Sequence, residues 1–196
     1  EGLSGNTVIH HHALIRKSLD YAYKMNLIPS NPADKIQRPK KEQYIGGFYN
    51  ENELNELFEK SKGDPMELMI LMTAFYGLRR SEVLGLKWDA FDFENNTITI
   101  KHTVVIAKLD GKRQIVAKDR TKNKSSYRTL PLVKEISEKL LETKKKQQAF
   151  KEAFGKTYIN EFKDYVFVNP QGKLVRPDYV SEHFKILLNN KGLKHI

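Results

Sequence analysis

Arg79 and Arg80 stand side by side at a corner between two apolar segments, Met66 to Tyr76 and Val83 to Leu86. A guanidinium is a permanently charged planar fork that places two hydrogen bonds on one phosphate or carboxylate, so either arginine could grip an anion. Glu82, three residues beyond Arg79, is an ordinary ion-pair partner for it and reads as a helix-start or buried-partner carboxylate rather than a general base. A second concentration of charge runs from Lys101 to Arg128, where nine basic residues face two acidic ones. Val104, Val105, Ile106, Ile115, Val116, Tyr127 and Leu130 interleave with these cations at β-hairpin spacing, which predicts charges fixed on a sheet. Fixed cations suit a phosphate backbone, with an attraction that weakens as salt rises. Lys144 to Lys146 fall in a helical stretch and read as solvated.

The whole chain has 196 residues and a formal charge of +10. It has no cysteine, which excludes disulfide scaffolds, Cys-ligated zinc, iron–sulfur clusters and thiol nucleophiles, and fits a reducing cytoplasm. No window approaches the roughly 18 apolar residues of a membrane span. His10-His11-His12 lies in a helical pattern, where three consecutive side chains point in different directions and cannot converge on one ion, so no metal site is expected.

Those charged groups need a scaffold, and the apolar spacing supplies one. Thr7 to about Met25 reads as a helix closed by Asn26. Arg38-Pro39-Lys40-Lys41 through Gly46-Gly47 has no periodicity and reads as a linker. Asn50-x-x-Glu53 is a capping-box pattern ahead of Leu54, Leu57 and Phe58. Met66 to Tyr76 is almost wholly apolar, which predicts a helix central to the core, with Gly77 as its cap and a short helix starting at Arg79-Arg80. Thr97 to Ile106 alternates as one strand, and the basic hairpins lead to Leu130 and Pro131 as a compact antiparallel sheet. Val133 to Phe154 is helical, Tyr165 to Val168 a strand, and Tyr179 to Leu188 a final helix. The expected class is α+β, a small and mostly antiparallel sheet packed with helices.

Phe75-Tyr76-Gly77-Leu78-Arg79-Arg80-Ser81-Glu82-Val83-Leu84-Gly85-Leu86-Lys87-Trp88 resembles the first catalytic motif of the tyrosine recombinases, the integrases of phages and conjugative transposons. Thr121-Lys122-Asn123-Lys124-Ser125-Ser126-Tyr127-Arg128-Thr129-Leu130-Pro131-Leu132 resembles the family's hairpin with a catalytic lysine. Leu27-Ile28-Pro29-Ser30-Asn31-Pro32-Ala33 resembles the end of its core-binding domain. The resemblance implies three parts: residues 1–38 as the helical end of a core-binding domain, 39–47 as linker, and 48–196 as the first part of a catalytic domain.

It also implies a function, a site and a partner. The function is site-specific cleavage and rejoining of double-stranded DNA through a 3′-phosphotyrosyl intermediate, by a tetramer, without cofactor, for integration and excision of a mobile element. The site comprises Arg79 and Lys122 as catalytic residues, with Lys40, Lys41, Lys118, Arg120, Lys124 and Arg128 as DNA contacts. The family's His-x-x-Arg motif, its further His or Trp and its nucleophilic tyrosine have no counterpart in these residues, so the chain reads as a fragment inactive alone. His195 is not taken for the catalytic histidine, and Tyr76, Tyr165 and Tyr179 lie in apolar patterns that predict core packing. The competing function is a non-catalytic DNA-binding accessory protein on a recombinase scaffold.

Overall fold

A computed structural model describes residues 2–43, 45–118 and 127–196. The chain divides into two compact units, Glu1–Gly47 and Phe48–Ile196. In the first, helix α1 (Gly5–Lys24) starts two residues before the apolar pattern does, because the Ser4 hydroxyl caps the Thr7 N–H. The helix has no buried residue. Its polar side chains instead clasp the turn that follows: Arg16 pairs with Asp34 at 2.6 Å, and Asn31 donates to the Arg16 carbonyl at 3.1 Å and to Asp20 at 2.6 Å. Asn31 also caps the 3-10 turn Pro32–Lys35 by accepting from Ala33 N. The irregular stretch beyond it returns to the start of α1, where Asn6 and Glu42 exchange hydrogen bonds.

In the second unit, α2 (Glu51–Lys60) opens with the full capping box: Asn50 accepts from Glu53 N at 2.9 Å and Glu53 accepts from Asn50 N at 2.8 Å. Helix α3 (Glu67–Tyr76) buries Leu68, Met69, Ile70 and Met72. Its apolar surface is not sunk on every side, since Phe75 is 53% exposed and stacks on Phe58. Gly77 takes a left-handed conformation (φ 58°) that ends α3, and the buried Leu78 then anchors the corner leading to α4 (Arg80–Leu84).

Strands β1 (Phe91–Asp92), β2 (Thr97–Ile100) and β5 (Arg128–Pro131) form one antiparallel sheet in the order β1-β2-β5. Strands β3 (Thr103–Leu109) and β4 (Lys112–Lys118) form a separate hairpin. Asp110 and Gly111 both take positive φ in its two-residue turn, the arrangement whose twist matches the strands it joins. The single strand expected over Thr97 to Ile106 is therefore two, broken at Lys101-His102. Burial of Ile98, Ile100 and Val104 keeps the alternation in step across the break, so the pattern could not reveal it. At the break Gly85, at the end of α4, lies against the backbone of His102 and Thr103, where a Cβ would stand 2.5 Å from the His102 oxygen.

Helix α5 (Lys134–Phe154) packs Ile136 and Leu140 inward. The stretch Tyr165 to Val168 forms isolated bridges, Lys87 with Tyr165 and Val168 with Leu174, instead of the expected regular strand. It is held by Val166 N donating to Leu86 O at 2.9 Å and by Gln147, whose amide donates to the Val166 carbonyl at 2.6 Å. Helix α6 (Pro177–Lys191) begins before the expected Tyr179, with Pro177 at its first position, and ends at the left-handed Gly192. Met72, Ile98, Ile100, Val104 and Leu140 are fully shielded, joining α3, both sheets and α5 in one core.

The Gly85 contact makes a test. Replacing Gly85 with Ala forces a methyl into backbone atoms, an overpacking expected to cost about 1–3 kcal/mol. Thermal unfolding of the chain should fall by several degrees, and an unchanged midpoint would remove the close approach as a determinant of where β3 begins.

Candidate functional site

Arg79 occupies the N-cap of α4 in an extended conformation (φ −69°, ψ 151°), fixed from behind by the buried Leu78. Its backbone N–H donates to Glu82 Oε2 at 3.1 Å and its Nη1 donates to Glu82 Oε1 at 2.8 Å. The same Oε2 accepts from Arg128 Nη2 at 3.0 Å. Glu82 is 2% exposed, Arg128 27% and Arg79 71%, so a buried carboxylate is gripped from two sides and one of its arginines faces solvent.

Burial acts to raise the Glu82 pKa, yet the hydrogen bond from Arg128, then those from the Arg79 backbone and side chain, outweigh it. The group stays below its ordinary 4.5. One negative charge between two positive ones leaves the trio at +1, with the excess presented where Arg79 is exposed.

The neighbouring arginine does something else. Arg80 Nη1 donates to Ser181 Oγ of α6 at 2.5 Å, so the adjacent arginines diverge and, of these two, Arg79 is the one bonded to Glu82. Of the other expected contacts, Lys118 ends β4 as an exposed residue, alongside the exposed Lys108, Lys112 and Arg113 of the same hairpin. Arg128 sits in β5 opposite Ile100, its guanidinium turned onto Glu82. Lys122, Arg120 and Lys124 lie outside the described residues. Lys40 and Lys41 are exposed in the irregular segment of the first unit.

Sequence reasoning missed several polar groups that set this framework. Tyr76, expected to be plain core packing, accepts the Val133 N–H on its hydroxyl at 3.0 Å. Tyr165 is buried as expected, whereas Tyr179 is 43% exposed and stacks on His183, whose Nε2 lies 3.0 Å from both oxygens of Asp64. Lys144, expected to be merely solvated, lies over the Trp88 ring, and the Trp88 indole donates to Gln147. Apart from Tyr179 and His183, four residues apart on α6, the partners in these pairs are 56 to 119 residues apart, so no local pattern announces them. Glu82 is a carboxylate within a run whose neighbours Val83 and Leu84 are buried, and that isolation is a readable signal for a paired charge. Among the described residues no three His, Asp or Glu side chains gather as a metal site, and no helix is long and apolar enough to cross a membrane.

Because the folded Glu82 pKa is depressed, its contribution to stability is complete above pH 4.5 and is lost as pH falls through the lower folded value. Glu82→Gln should cost about 3 kcal/mol at neutral pH, as expected when one partner of a buried pair is removed and the other is left charged. The difference between wild type and variant should shrink in urea titrations below pH 4.5. A difference that stays constant down to pH 2 would show that the carboxylate is not the anchor.

Residues 48–196 match the model of the phage integrase family. The chain is 29% identical over 177 residues to a tyrosine recombinase XerC-like protein of Caldanaerobacter subterraneus subsp. tengcongensis, covering 88% of this chain and 44% of the relative. It is 25% identical over 121 residues to the prophage integrase IntR of Escherichia coli K12, covering 62% of this chain and 29% of that protein. The chain thus spans less than half of these relatives.

In three dimensions it is similar to the Tn1549 transposon integrase in complex with transposon right end DNA, with a TM-score of 0.77 at 20% identity, covering all of this chain and 61% of that one. A lambda integrase tetramer bound to a Holliday junction gives 0.58 at 11% identity, covering 94% of this chain and 45% of that one. The second compact unit is the same stretch that the family model matches, and its α+β arrangement is the one these integrases share, so the chain belongs to the phage integrase family, the tyrosine recombinases.

Proposed function

We propose that the protein acts as a site-specific DNA recombinase, cutting and rejoining double-stranded DNA to integrate and excise a mobile element. The observation that carries this is the exposed Arg79 guanidinium, pinned at 2.8 Å by a buried carboxylate that a second arginine keeps ionised. A tyrosine oxygen attacks the scissile phosphorus and the P–O5′ bond breaks, leaving a 3′-phosphotyrosyl link and a 5′-hydroxyl. The covalent link conserves the bond energy for rejoining. In the crowded transition state negative charge accumulates on the non-bridging oxygens, and a preorganised fork is suited to receive it. Arg79 is that donor. The departing 5′-oxygen needs a proton, and Lys122 supplies it as general acid. Among these 196 residues the family's His-x-x-Arg motif and nucleophilic tyrosine have no counterpart.

The remaining cations hold the duplex. Lys118, Arg120 and Lys124 contact phosphate from the hairpin region, and Lys40 and Lys41 do so from the segment joining the first unit, the helical end of a core-binding domain, to the catalytic unit. Four copies acting on paired sites are the working assembly, as in the lambda integrase tetramer on its Holliday junction. The protein works in the cytoplasm, where its DNA is.

The test uses the full-length protein on a nicked suicide substrate that traps the covalent intermediate. Arg79→Lys keeps the charge and loses the fork. DNA affinity should hold while covalent trapping slows about 10²- to 10³-fold, the usual loss of one donor to a transition-state charge. Trapping within threefold of wild type at equal affinity would make Arg79 a structural residue, and no trapping by the wild type under any condition would point to a DNA-binding protein without cleavage.

A further inference from the structure

We propose that Arg128 is a positioning residue for Arg79, acting through Glu82, instead of a contact to the DNA backbone. Its residue type and its place beside the Lys-rich segment put it with the phosphate contacts, but its geometry differs from theirs. Lys112, Arg113 and Lys118 are exposed, whereas Arg128 is drawn back to 27% exposure with Nη2 on Glu82 Oε2. Its backbone is equally fixed, since β5 pairs Arg128 with the fully buried Ile100 of β2.

What Arg128 does there follows from charge and from hydrogen bonding. Ionised, Glu82 accepts both Arg79 bonds as charge-assisted ones, one fixing the N-cap backbone and one fixing the side chain, and protonation would weaken them. Its other arginine is 71% exposed and so compensates poorly for burial of the carboxylate. Arg128 is the better shielded cation, and its hydrogen bond is foremost among those that keep Glu82 ionised. The net charge matters as well. Arg79 and Glu82 alone would sum to zero beside the scissile phosphate, and Arg128 restores the trio to +1, so Arg79 can be held by a carboxylate without losing its attraction for phosphate.

The arrangement also ties two pieces of the site together. Strand β5 begins at Arg128, soon after the stretch that carries Lys122, and its first side chain reaches the carboxylate that holds Arg79. This inference rests on the reading of Arg79 as the donor to the transition state, and the experiment separates the two.

In the full-length protein, Arg128→Ala is measured alone and in an Arg79→Ala background, by salt-dependent duplex affinity and by single-turnover covalent trapping at saturating protein. Arg128→Ala should keep the wild-type salt slope and slow trapping on the order of tenfold. In the Arg79→Ala background it should change the residual rate less than twofold, the non-additivity expected of residues that act as a unit. Arg128→Lys, which returns a donor to Glu82, should recover part of the rate, and Arg128→Gln is read in the same way if the alanine variant does not fold.

A salt slope lower by about one unit with a normal rate at saturation would identify a phosphate contact and overturn the proposal. An equal loss in both backgrounds would overturn it too, because Arg128 would then act independently of Arg79. If Arg79→Ala itself trapped DNA at the wild-type rate, the functional reading would fall instead.

Discussion

A single buried carboxylate organises the candidate site. Glu82 is almost fully shielded from water, and such a charge is tolerable only when opposite charges and hydrogen bonds replace the solvent it has lost. Here it accepts from the Arg79 backbone, the Arg79 side chain and Arg128. Satisfying Glu82 therefore fixes the start of α4, the direction of the Arg79 side chain and the first residue of β5 together. Of the two arginines, Arg79 is the more exposed.

The surrounding fold supplies the rigidity that such a cluster needs. Helix α3 brings the chain to the corner, the left-handed Gly77 turns it and the buried Leu78 anchors it, so Arg79 starts from a fixed backbone. At the other end of α4, Gly85 abuts the backbone at the beginning of β3, which couples the arginine corner to the cationic hairpin. These are packing constraints between elements far apart in sequence, and protein interiors transmit them because they are close-packed.

Legibility in the sequence followed the range of the interactions. Local devices could be read directly: the Asn50–Glu53 capping box, the Gly77 stop, the apolar run of α3 and the basic hairpin all depend on residues a few positions apart. The Arg79 motif was readable through its resemblance to a family, and the 48–196 match to that family agrees. Long-range arrangements were not. The break between β2 and β3 falls where Gly85 lies against the backbone, while the alternation of Ile98, Ile100 and Val104 continues unchanged. Arg128 looks in sequence like any cation beside a Lys-rich segment, and only the fold brings it to Glu82, 46 residues away. Likewise, Lys144 reads as a solvated charge until the fold lays it over Trp88.

The central claim is that Arg79 presents its guanidinium to a phosphate while Arg128 remains behind it on Glu82. A crystal structure of the full-length protein bound to a cleavable duplex tests this most directly. The expected result is Arg79 within about 3 Å of the non-bridging oxygens of one phosphate, with Glu82 still accepting from Arg128. A structure with Arg128 on that phosphate, Glu82 released and Arg79 turned away from the DNA would contradict it.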